Sequence, residues 1–347
     1  MRVLVWLSWW VDSAVSAYLL KEAWHDVSAG FMINYLDEEN PKCPTKEDLS
    51  VAKEVAGFLD IPFYTFDYRE EYEKRIIDYI YREYALGRTP NPDVFCNNLI
   101  KFELFLQEAL EWGFDRIATG HYAQIFDYDG TATLFKWIDR EKDQSYFLSR
   151  LSQSQLEKSI FPIGGMRKTE VRTLAENINL PNAKRRDSQG LCFIWKVSMR
   201  EFLRRRLPKN PWNILDTRWH VIGRHEWAYA YTIGQRKGVG VGGGPARFVT
   251  EKNVHTNTIT VSEREEDLCT YSLIGREWVW DLFTDEKCFT AKVRYRQESQ
   301  DCIAQLVDEQ TVLIRFSSPQ RAITPWQIVV IYTGEMVVGS AIIDTTS

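Results

Sequence analysis

The chain opens on Arg2-Val-Leu-Val-Trp-Leu7, apolar without a break from Val3, followed by helix-spaced apolar positions over 13–22. A short apolar run before a helical pattern predicts a strand buried on both faces, with Asp12 as the helix cap. The alternation then repeats. Strands are predicted near 27–33, at 62–66 and at 116–119; helices run from the Thr45/Asp48 pair to about 59, over 70–86 and over 99–112. Strands separated by helices predict an α/β fold, a doubly wound parallel sheet with helices on both faces.

The pattern changes near 198. A short basic helix at 198–207 carries Arg200, Arg204, Arg205 and Arg206, with Lys209 beyond it. Glycine-rich turns follow over 232–245. Alternating segments at 289–296, 303–307, 311–316, 327–332 and 337–343 then predict a small antiparallel, barrel-like domain. The expected domains are 1–200, a small central domain at 201–270, and 271–347.

Composition narrows the function classes. Lys+Arg is 43 and Asp+Glu 48, a net charge of −5, so the chain is not a globally basic nucleic-acid binder. Local basic faces remain available, because phosphates respond to local potential. No apolar run approaches the ~18 residues that span a bilayer, and the first residues carry no signal-peptide cleavage pattern. A cytoplasmic protein with no membrane partner is expected. The six cysteines include no CxxC pair, so no metal site is expected.

Three places carry candidate chemistry. Ser8-Trp-Trp-Val-Asp-Ser13 lies between the first strand and its helix, where α/β sheets bind phosphate; an ordinary helix cap is the alternative. Cys96 precedes the predicted helix, whose positive end would favour a thiolate, and Asp93 lies three residues before it. Cys192 follows the basic run Lys184-Arg-Arg186. Either cysteine read alone could be a buried structural thiol.

Ser8-Trp-Trp-Val-Asp-Ser13 resembles the Ser-Gly-Gly-Val-Asp-Ser pyrophosphate loop of the N-type ATP pyrophosphatases. Five further segments follow in order. They are Asn91-Pro-Asp-Val-Phe-Cys96, Ala118-Thr-Gly-His-Tyr-Ala123, Lys142-Asp-Gln-Ser-Tyr-Phe-Leu148, Asp187-Ser-Gln-Gly-Leu-Cys-Phe-Ile194 and Tyr231-Thr-Ile-Gly-Gln-Arg-Lys-Gly238. With the loop, they resemble the bacterial tRNA-specific 2-thiouridylases over essentially the whole chain.

The resemblance implies a reaction and its residues. ATP, with Mg²⁺, adenylates the wobble uridine (position 34) of tRNA for lysine, glutamate and glutamine. A partner protein delivers a persulfide sulfur to Cys192, and Cys96 completes the transfer, leaving a Cys96–Cys192 disulfide. Asp93 would act beside Cys96. Trp6, Leu7, Ser8, Trp9, Trp10, Val11, Asp12, Ser13, Met32 and Gly120 would face the nucleotide. Asn91, Pro92, Asp93, Lys142, Asp143, Gln144, Arg294 and Tyr295 would face tRNA.

One departure runs through the chain. Trp9 and Trp10 replace the two loop glycines, where glycine lets backbone N–H groups approach phosphate. Trp6, Trp24, Trp137, Trp195, Trp212, Trp219, Trp227 and Trp326 also stand where the family commonly has glycine. Weakened ATP binding is expected, with a non-catalytic tRNA-binding variant as the alternative function.

Overall fold

The computed structural model describes residues 1–36, 45–139, 142–185, 198–242, 244–279 and 288–346. Cys192 and Trp195 therefore lie outside the described residues. The chain divides into two compact units. One holds Met1–Ile76, Asp93–Trp195 and Glu335–Val337; the other holds Ile77–Pro92, Lys196–Gly334 and Val338–Ser347.

The first unit is built on a five-stranded parallel sheet. Its strands are β1 (Arg2–Trp6), β2 (Asp26–Ile33), β3 (Phe63–Asp67), β4 (Arg116–Ala118) and, after a hairpin of β5 (Gln124–Tyr128) and β6 (Thr131–Phe135), β7 (Ser159–Ile160). The sheet order is β3-β2-β1-β4-β7. Alternation along the strands explains the two covered faces. Val3, Val5 and Leu7 of the first strand segment and Val27, Ala29 and Phe31 of β2 enter one core with α1 (Val11–Glu22), α2 (Thr45–Phe58) and the helix Lys168–Asn177. On the opposite face, Phe66 meets Phe105 edge-on at 5.1 Å. Phe105 belongs to the helical run Pro92–Cys96, Asn97–Leu104 and Phe105–Glu111, whose middle segment is π-helical. The doubly wound sheet is thus the observed architecture.

Two sequence expectations are corrected here. The residue capping α1 is Trp10, not Asp12, which sits inside the first turn. The helix bearing Cys96 starts at Pro92 rather than after Cys96, because proline's fixed φ suits a first helical position. Cys96 is its fifth residue, so the helix-end stabilisation of a thiolate does not apply to it.

The second unit contains a four-stranded sheet and a barrel. The sheet order is β10-β11-β8-β9, from β8 (Trp212–Leu215), β9 (Val221–His225), β10 (Phe248–Asn253) and β11 (Thr258–Ser262). The barrel runs β12 (Cys269–Val279), β15 (Thr311–Arg321), β14 (Gln300–Asp308), β13 (Phe289–Lys292), β16 (Ile328–Thr333) and β17 (Met336–Thr346). Antiparallel pairing of β12 with β17 closes it. The sequence pattern anticipated the other five strands in outline and missed β12.

Candidate nucleotide and thiol site

The loop after β1 is held by its own hydroxyls. Ser8 N–H donates to Ser13 Oγ at 3.1 Å, and the two hydroxyl oxygens lie 2.9 Å apart. Trp10 N–H donates to Ser8 Oγ at 3.3 Å. Asp12 is fixed from two distant segments: Tyr122 Oη donates to it at 2.6 Å, and Lys168 Nζ at 2.6 and 2.8 Å. Gly120 lies flush on this turn. A Cβ there would stand 2.6 Å from Ser13 N and 2.7 Å from the Asp12 carbonyl carbon, so only glycine permits the approach. Loop, Asp12, Ser13 and Gly120 are therefore brought together. Met32 is buried in β2, and Trp6, half-buried, ends β1.

The indoles of Trp9 and Trp10 lie tilted against each other at 31° with centroids 3.7 Å apart, and the Arg185 guanidinium lies 4.9 Å from the Trp9 ring. The polar frame of this turn suits a phosphate group. The paired indoles do not, since they add apolar bulk at both positions where backbone donors should be bare.

The helix with Asp93 and Cys96 passes the same edge of the sheet. Cys96 is buried, and Lys101 Nζ sits 3.9 Å from the Trp6 ring centroid. Burial pushes the Asp93 carboxyl up to about 6, against the opposing pull of the Lys101 charge. His121 is held well below its usual range, by burial first and by Lys101 second, and its Nδ1 lies 2.7 Å from Thr119 Oγ1. Asp93 and Cys96 stand three residues apart on one helix, and the Lys101 charge acts on both Asp93 and His121.

Other candidate residues fall elsewhere. Asp143 is buried, with Oδ1 accepting from Trp137 N–H at 3.0 Å and Ser145 N–H at 3.1 Å; Gln144 accepts from Tyr122 N–H at 2.9 Å. Those two side chains shape the unit from within, while Lys142 is exposed. In the second unit, Asn91 donates to Gln327 Oε1 at 3.4 Å, and Gln327 donates to Thr89 O at 2.7 Å. Arg294 is exposed and donates to the Arg321 carbonyl; Tyr295 beside it is half-buried. The basic helix is Met199–Arg204, and its neighbourhood is largely ion-paired. Arg204 and Lys209 meet Glu226 at 2.9 and 3.1 Å, and Arg206 meets Asp78 at 2.9 Å. A bare phosphate-binding face is not what these charges form.

Sequence reasoning missed Lys101, Tyr122 and Lys168. Lys101 lies five residues past Cys96 on the same helix, which was a usable signal. Nothing local announces that Lys168 reaches Asp12, 156 positions away.

Comparison with known proteins settles the kinship. The model described as "tRNA methyl transferase HUP domain" matches residues 1–196, "tRNA methyl transferase PRC-barrel domain" matches 200–263, and "Aminomethyltransferase beta-barrel domain" matches 272–343. The tRNA-specific 2-thiouridylase MnmA of Staphylococcus epidermidis is 43% identical over 99% of this chain and 95% of its own. That of Enterococcus faecalis is 43% identical over the same shares, and that of Bacillus cereus 41% over 99% and 94%. The chain belongs to the MnmA family. Family membership gives the HUP-type domain its expected co-substrate, ATP. Among the described residues no group of three or more His, Cys, Asp or Glu could hold a metal, and no helix is long and apolar enough to cross a membrane.

Proposed function

We propose that this chain is built for ATP-dependent 2-thiolation of the wobble uridine of tRNA for lysine, glutamate and glutamine. The observation that carries the reading is local to the first unit: the helix bearing Asp93 and Cys96 lies against the end of β1, with Lys101 over Trp6. In this scheme uridine O2 is adenylated and pyrophosphate leaves. Sulfur from a Cys192 persulfide, charged by a donor protein, then displaces AMP at C2. Cys96 and Cys192 finish as a disulfide that an external thiol reduces. Asp93 takes up or returns the proton, and Mg²⁺ would travel with the ATP phosphates. Asn91, Pro92, Lys142, Arg294 and Tyr295 supply surface toward tRNA. Domain limits near 200 and 270 are part of the same proposal.

The paired indoles at 9 and 10 favour a second reading, a tRNA-binding protein without adenylation. An in-vitro thiolation assay with tRNA, ATP–Mg²⁺ and a persulfide donor separates the two. The chain as it stands is expected to turn over poorly, and Trp9→Gly/Trp10→Gly to recover activity. Equal robust activity in both would remove the case against the indoles. No activity in either, with tRNA binding intact, would establish the second reading. Cys96→Ser in the reverted protein is expected to abolish thiolation.

A further inference from the structure

Lys101 has a role that the reaction scheme leaves unassigned. It is only 6% exposed. Among the described residues it has neither a hydrogen bond nor an ion pair; the Trp6 ring lies 3.9 Å away, and its charge is felt by Asp93 and His121. Burying an unpaired ammonium is costly, and such groups persist where they meet a charged ligand. The ammonium lies over the ring of Trp6, the last residue of β1 and two positions before Ser8 of the hydroxyl-lined turn. We propose that Lys101 is an anion-binding residue of this site, taking a phosphate oxygen of the bound substrate. The assignment rests on the thiolation reading only for which phosphate that is.

Calorimetric titration with AMP, and separately with a uridine-centred trinucleotide, tests it without turnover. The parents are the present chain and Trp6→Gly/Trp9→Gly/Trp10→Gly, in which the ring over Lys101 is removed. Lys101→Met is expected to weaken one of the two probes by about tenfold or more, the size of a lost charge-assisted hydrogen bond. Lys101→Arg should retain most of the binding. Tighter dependence on AMP assigns a nucleotide phosphate, and on the trinucleotide a tRNA phosphate. The Lys101→Met protein should melt no lower than its parent, because an unpaired buried charge has been removed. Unchanged affinity for both probes overturns the assignment, as does absence of binding to both parents. Lys101-dependent binding without thiolation would leave this assignment standing and sink the thiolation reading.

A different observation carries a second inference. Nine described non-glycine residues hold positive φ, and three of them are Trp24, Trp219 and Trp326, at 59°, 65° and 71°. Four others are Asp or Asn, the residues that tolerate this region, whereas a bulky side chain there is an outlier. We infer that these tryptophan positions are built for glycine, and that one codon, written as tryptophan here, is read as glycine in the cell that uses it. The same reading restores bare backbone at 9 and 10. Peptide mass spectrometry of the protein from its native cells tests it. Glycine at 24, 219 and 326 is expected; tryptophan at any of them overturns it.

Discussion

Trp24 and Trp219 expose 94% and 70% of their surface while holding φ at 59° and 65°. Their indoles gain little from burial, and their backbones sit where a β-carbon is strained, at order 1–3 kcal/mol. Trp24→Gly and Trp219→Gly should each stabilise the fold by about 1 kcal/mol, net of the entropy glycine adds to the unfolded chain. Equilibrium urea unfolding measures this, and a fall in midpoint would refute it. At this scale the sequence was only partly readable. The spacing of Ser8, Asp12 and Ser13 located the turn. It could not show that Asp12 would be held by Tyr122 and Lys168, because those contacts exist only after the sheet has formed.

The helical run from Pro92 joins acid, thiol and ammonium on one element. Asp93 carries a pH signature. Burial raises its folded value to about 6 against an ordinary 3.8. A raised carboxyl contributes stability that is complete below its unfolded value and lost as pH climbs through the folded one. Stability should therefore fall between about pH 4 and pH 6 on this group's account, and Asp93→Asn should flatten that part of the profile. Urea midpoints measured across the interval, parent against variant, decide it; identical slopes would exclude Asp93 as the source. The sequence pattern placed this helix within a few residues but started it late. Apolar spacing marks a helix's buried middle, whereas its beginning depended on Pro92.

Across the whole molecule, periodicity separated the parallel sheet from the strand-rich end because their repeats differ. It failed on β12, whose burial is too uneven to read as clean alternation. That strand pairs with both β15 and β17, so barrel closure depends on it. Gly275 on this strand is closely packed, since a Cβ would lie 2.6 Å from Ala341 Cβ. Gly275→Val should destabilise the barrel by about 1–3 kcal/mol through overpacking. Thermal unfolding followed by circular dichroism would show it, and an unchanged midpoint would mean that the closure is looser than the packing implies.

The central position of β1 also has a consequence for synthesis. Its edges are taken by β2 on one side and β4 on the other, and Arg2 N–H bonds to Asp115 across 113 positions. At ribosomal speeds of about 5–20 residues per second, this first-made strand waits roughly 6–20 seconds for its second neighbour. Through that interval an apolar strand stands with an open edge on the nascent chain, a natural point for a chaperone to engage.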